Sequence, residues 1–240
     1  MLLTEIDAVN WNAIPTPRPR PRTADARDGL RALAAARDLD SVASAVAALT
    51  SSSLLRGRTG EVLPGAVVAA PFLLDIAEHG HPHARESAVV LLDRAMRSAP
   101  LADFSRFRTA AGHDAPLCCA IAELVRARGD SLAECGRSGK YLLKASDAHW
   151  RFDIREASAV SGDVVALGTL RGALPAPSAG GELHHDGSVT AVGSVGVECP
   201  PVDATAEACL RLSGLGADAA EHGGLTGAVL YPAACGDHER

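Results

Sequence analysis

Large aromatic rings are scarce in this 240-residue chain: Phe, Tyr and Trp together make up 3% of it, although 47% of its residues are apolar. Its cores must therefore be built from Ala, Val and Leu, which suits closely packed helices and slim strands. Lysine is scarcer still, with only Lys140 and Lys144. The net charge of −6 offers no overall basic face, and neutralising phosphates is where most nucleic-acid affinity comes from. The charge is uneven. Residues 1–147 carry 18 basic against 17 acidic side chains, and residues 148–240 carry 5 against 12. Nucleic acid is not the expected partner of either half.

A cysteine framework is missing too. Cys118, Cys119, Cys135, Cys199, Cys209 and Cys235 contain no CxxC pair, no zinc-ligand spacing and no secreted-scaffold density. They read as reduced thiols. No run approaches 18 apolar residues, and Met1-Leu-Leu-Thr-Glu-Ile-Asp7 puts acids where a signal peptide needs base. The expectation is a cytoplasmic protein with no membrane partner.

What is present divides into three stretches: 1–22, 23–147 and 148–240. Pro15-Thr-Pro-Arg-Pro-Arg-Pro-Arg22 lacks alternate amide donors and reads as an extended spacer after a short N-terminal segment. From Thr23, a candidate N-cap, the apolar period is helical. Leu30, Leu33 and Ala34 share a face, Asp38 or Asp40 caps a segment carrying Val42, Ala45, Val46 and Leu49, and Pro64 opens another in which Pro71 marks a kink or a new start. Further helices are predicted over 84–96 and 115–128, and a last one from Asp130 or Ser131 toward Leu143. Six or so short helices with single apolar stripes must stack to bury them. Residues 59–96, with Ala70-Pro-Phe-Leu73 at the centre, resemble a turn of bacterial HEAT-like repeat proteins, which implies a helical array with a concave binding surface.

After His149 the period changes to 2. Strands are predicted near 151–155, 164–170, 181–185, 189–198, 206–212 and 225–231, with turns at Gly162-Asp163 and Asp186-Gly187, and short strands so spaced indicate a closed barrel. Phe152-Asp-Ile-Arg through Val164-Val-Ala-Leu-Gly-Thr-Leu170, followed by Leu210-Arg-Leu-Ser-Gly-Leu215 and a descent to Gly223, is similar to the second domain of elongation factor Tu and other translational GTPases. Pro175 to Ser178 departs from that pattern. The resemblance implies a binding barrel without chemistry of its own. Phe152, Ile154, Val165, Leu167, Leu170, Leu210, Leu212 and Leu215 are the expected interior or rim. The fold class is thus α+β, a helical array followed by an antiparallel barrel.

Candidate chemistry is sparse. Gly136-Arg-Ser-Gly-Lys140 lacks the first Gly and the hydroxyl residue of a phosphate loop, with Glu134 and Tyr141 in their places, so no nucleotide is expected. His79, His81 and His83 could converge on a metal, but Pro82 splays them, and an interhelical loop is the plainer reading. His184, His185 and Asp186 read as a hairpin end, since neighbouring strand residues point to opposite faces. Cys118 and Cys119 read as packing in an apolar helix. No catalytic, cofactor-binding or metal residue is therefore assigned. The function expected is non-catalytic protein binding, as an adaptor or bacterial immunity or regulatory protein, with a protein partner. A HEAT-like DNA-glycosylase-type enzyme, which would need a basic aromatic groove, and a translation-associated module are the alternatives.

Overall fold

A computed structural model describes residues 2–16, 23–51, 54–56, 60–109, 112–175, 178–199, 207–215 and 224–235. Eight α-helices among the described residues precede a closed six-stranded antiparallel barrel, an α+β architecture. Two compact units divide the chain: Met1–Phe107 with Ala120–Ser146, and Arg108–Cys119 with Asp147–Arg240. No described helix is long and apolar enough to cross a membrane.

The first unit opens with α1 (Leu2–Ala8) and a 3-10 turn at Trp11–Ala13. Trp11 is buried, with its ring 6.2 Å from that of Phe72. Its indole Nε1 donates to the Ile6 carbonyl at 2.9 Å. With so few rings available, the fold uses Trp11 as core material. The rest of the predicted spacer, residues 17–22, and the side chain of Thr23 lie outside the described residues.

α2 (Thr23–Ala35) packs on α3 (Leu39–Thr50), and α4 (Pro64–His79) on α5 (Pro82–Arg97). Asp38 caps α3 through a reciprocal capping box with Ser41. The hydrogen bond from the Ser41 amide holds the Asp38 carboxyl below its usual range. α4 runs unbroken through Pro71. Nearly its whole circumference is buried, so tertiary packing offsets the amide bond that Pro71 removes. α6 (Leu117–Ala127) follows two short ribbons in the intervening loops, β1 (Leu55–Arg56) with β2 (Glu61–Val62) and β3 (Arg106–Arg108) with β4 (Asp114–Pro116). The single helix predicted beyond Asp130 is two, α7 (Gly129–Glu134) and α8 (Gly136–Ser146), because Gly136 takes φ +77°. Arg128 ties α7 to α4 with 2.8 and 2.9 Å bonds to Glu78 and Asp75.

The barrel comprises β5 (Arg151–Val160), β6 (Asp163–Arg171), β7 (Ala179–His185), β8 (Ser188–Cys199), β9 (Glu207–Ser213) and β10 (Val229–Pro232). It closes in the order β10-β5-β6-β9-β8-β7. Tight two-residue turns join β5 to β6 at Ser161-Gly162 and β7 to β8 at Asp186-Gly187, all four residues at positive φ. Trp150, Phe152, Ile154, Val164, Ala166, Leu170, Leu210, Leu212 and Leu215 belong to the core. Val165 and Leu167 do not: β6 alternates so that Val164, Ala166 and Gly168 face inward, and both are half-buried on the other side. The strand expected from Leu225 begins only at Val229, and the predicted descent over 216–223 lies outside the described residues.

Gly168 shows why the β6 pattern contains a glycine. A Cβ there would sit 2.1 Å from the Asp153 carbonyl oxygen and 3.0 Å from the Phe152 ring, beside the β5 bulge between Ile154 and Glu156. Gly168→Ala is expected to cost at least about 2 kcal/mol through forced backbone displacement, measured as a lowered urea midpoint with an unchanged slope.

Candidate metal centre

Four side chains of the second unit converge at one point outside the barrel core. Cys118 and Cys119 come from the first turn of α6, His149 from the residues that lead into β5, and Cys235 from the 3-10 turn Ala233–Cys235 after β10. Their ligand atoms all lie within 4.8 Å of one another. His149 Nδ1 is 3.2 Å from Cys235 Sγ. The three cysteines are buried, at 4, 0 and 7% exposure, and His149 is half-buried.

Each ligand reaches this point for a local reason. Leu117 and Ile121 bury one face of α6, which fixes the rotation of its first turn. Trp150, 1% exposed in the barrel core, anchors the residue after His149. β10 is buried along its length between β5 and β7, so the turn that follows it delivers Cys235 to a defined place.

The donor set fits a soft, tetrahedral cation. Three thiolates and one imidazole are the Cys3His complement of structural zinc. Zinc–sulfur bonds of about 2.3 Å in a tetrahedron place sulfurs about 3.8 Å apart, inside the 4.8 Å within which these ligand atoms lie. Hydrogen bonds from Cys119 and Cys235, aided by His149, hold the Cys118 thiol well below its usual range against the opposing effect of burial. Burial pushes the Cys119 thiol up, and the hydrogen bond with Cys118 pushes Cys235 up. The positive end of α6 favours an anionic sulfur in its first turn. Three buried thiolates without a cation would repel one another; a dication removes that cost.

Around the cluster stands a second buried polar pair. Glu182 and His184 lie two apart on β7, with side chains 9 and 6% exposed and Oε1 to Nε2 at 2.8 Å. The His184 ring meets Tyr231 edge-on at 5.1 Å. The charge of Glu182 adds to the hydrogen bond with Cys118 and to burial in raising the Cys235 thiol.

His184, His185 and Asp186 do occupy a hairpin end, and together with Arg108, His113 and Asp114 they line an open cavity of about 360 Å³. No cavity described is lined by a cluster cysteine. His79, His81 and His83 do not form a ligand set among the described residues: His81 and His83 have ring centroids 5.5 Å apart, and His79 Nδ1 lies 3.2 Å from the Asp75 carbonyl. Lys140 lies inside α8, which follows α7 rather than a strand, so Gly136–Lys140 builds no phosphate cradle.

Sequence reading left out Cys118, Cys119, His149 and Cys235 as a set. Motif spacing had no purchase on ligands drawn from three separate segments, with His149 and Cys235 86 positions apart. The one local signal is a vicinal cysteine pair opening a helix. The chain matches no protein-family model, no curated protein and no solved structure.

Proposed function

We propose that the second unit is a zinc-anchored barrel and that the chain works as a non-catalytic binding protein for a protein partner. The observation that carries the reading is the convergence of three cysteines and one histidine within 4.8 Å in a buried position. Four protein ligands complete a tetrahedron and leave no open position for substrate, which is the mark of a structural rather than a catalytic zinc.

The consecutive helix pairs α2/α3 and α4/α5 support a HEAT-like reading of the first unit. The order and closure of the strands support likeness to the second domain of elongation factor Tu. Val160, Val189 and Val197 on the barrel and Leu39, Val90 and Tyr141 on the helices are exposed apolar side chains that a partner protein could cover. The acidic balance of residues 148–240 suits a basic partner.

A second reading rests on the 3.2 Å approach of His149 Nδ1 to Cys235 Sγ, the arrangement of a cysteine nucleophile and its base. Burial of the sulfur, 7% exposed, weighs against this reading.

Alkylation of the native chain with iodoacetamide separates the two. A zinc-bound centre leaves Cys118, Cys119 and Cys235 unmodified until a chelator is added, while Cys199 reacts at once. Rapid, selective modification of Cys235 without chelator would overturn the closed-centre reading in favour of the nucleophile.

A further inference from the structure

Two cysteines lie apart from the metal cluster. Cys199 ends β8, Cys209 lies in β9, and the two are register partners across the antiparallel ladder. Partners in such a ladder have Cα atoms about 4.5–5.5 Å apart, within the about 4.4–6.8 Å that a disulfide spans. Both thiols point away from the core, whose β9 contributions are Ala208, Leu210 and Leu212. Cys199 is exposed and Cys209 half-buried. A β-bulge interrupts the β8–β9 ladder between Val197 and Cys199, so the strand end that carries Cys199 is held by fewer regular bonds.

We propose that Cys199 and Cys209 form a reversible disulfide with hydrogen peroxide as oxidant. The exposed Cys199 is the attacked thiol, because burial and the neighbouring Cys199 push the Cys209 thiol up and keep it protonated. The Cys199 thiolate attacks one peroxide oxygen, the O–O bond breaks, and the departing hydroxide takes up the thiol proton as water, leaving a sulfenic acid. The Cys209 sulfur then attacks the Cys199 sulfur, the S–O bond breaks, and the leaving hydroxide takes the Cys209 proton as a second water. Two thiols are oxidised by two electrons and one peroxide is reduced to two waters. The bond pins the bulged end of β8 to β9 and leaves the zinc ligands untouched.

The test treats the metal-replete full chain with hydrogen peroxide and reads intact mass and peptide maps. Cleavage after Glu207, which lies between the two cysteines, leaves two peptides that stay joined only through this bond. The expected result is a loss of two hydrogen masses in most chains, a Cys199–Cys209 linked peptide pair, and full reversal by dithiothreitol. Cys199→Ser abolishes the loss, and Cys209→Ser leaves Cys199 as a sulfenic acid that dimedone traps. Peroxide that leaves both thiols free, or a crosslink confined to Cys118, Cys119, Cys135 and Cys235 or formed between chains, overturns the proposal.

Discussion

If the proposed zinc anchors the barrel unit, a chelator is expected to lower its melting temperature by about 15 °C or more. The estimate follows from linkage: a ligand held at a thousand times its dissociation constant stabilises the folded state by about 4 kcal/mol, and a domain of this size loses about 4–8 °C per kcal/mol. Structural zinc sites, with apparent binding free energies of about 10–16 kcal/mol, leave room for a larger fall. The three cysteines contribute a packed surface even when protonated, since a free thiol behaves as a small hydrophobe. The chelated chain should therefore stay folded at low temperature yet melt early. Cys119→Ser, at a fully buried position, should reproduce the fall and make it insensitive to chelator. Differential scanning calorimetry reads both effects. An unchanged transition after metal removal would show that the ligand set does not hold the unit together.

Replacing His184 with Ala is expected to cost about 1–3 kcal/mol, because it removes a 2.8 Å hydrogen bond between two buried polar side chains. Glu182 and His184 are 9 and 6% exposed in their side chains and 2.8 Å apart, so water does little to replace the lost bond. Glu182→Gln should cost less, since an amide keeps a hydrogen-bonding partner for the imidazole without a buried charge. The change at His184 reaches the cluster as well. The charge of Glu182 already raises the Cys235 thiol, so a displaced Glu182 side chain should change zinc affinity in a chelator competition. A double-mutant cycle in urea isolates the coupling. Additivity of the two substitutions within about 0.5 kcal/mol would mean that the pair does not act as a unit.

The boundary between coil and pleat was legible because periodicity is local. Leu30 and Leu33 mark the face of α2, and Val164, Ala166 and Leu170 mark the inner face of β6, with both patterns readable within a dozen residues. Phase was harder. Val164-Val165-Ala166-Leu167 is apolar at every position, so alternation alone could not tell which pair faces inward, and Val165 and Leu167 went to the wrong side. The burial of Trp11 is not legible locally for a different reason: it depends on Phe72, a partner 61 residues on. The break at Gly136 follows from one positive φ that glycine permits but does not announce.

The candidate metal centre was the least legible feature. Cys118 and Cys119 in an apolar helix carry the same pattern whether they pack or ligate, and only the closure of the barrel brings His149 and Cys235 to them. Spacing rules detect sites whose ligands share a loop. A site assembled from the start of a helix, the entry to the first barrel strand and the turn after the last has no such spacing to detect.

Elemental mass spectrometry of the chain, purified without chelator from zinc-replete medium, tests the central claim most directly. The account predicts one zinc per chain in the native protein and close to none in a Cys118→Ser, Cys119→Ser double variant that still shows the far-ultraviolet dichroism of the parent. A native chain carrying only trace metal, or a double variant that retains its full zinc, would contradict it.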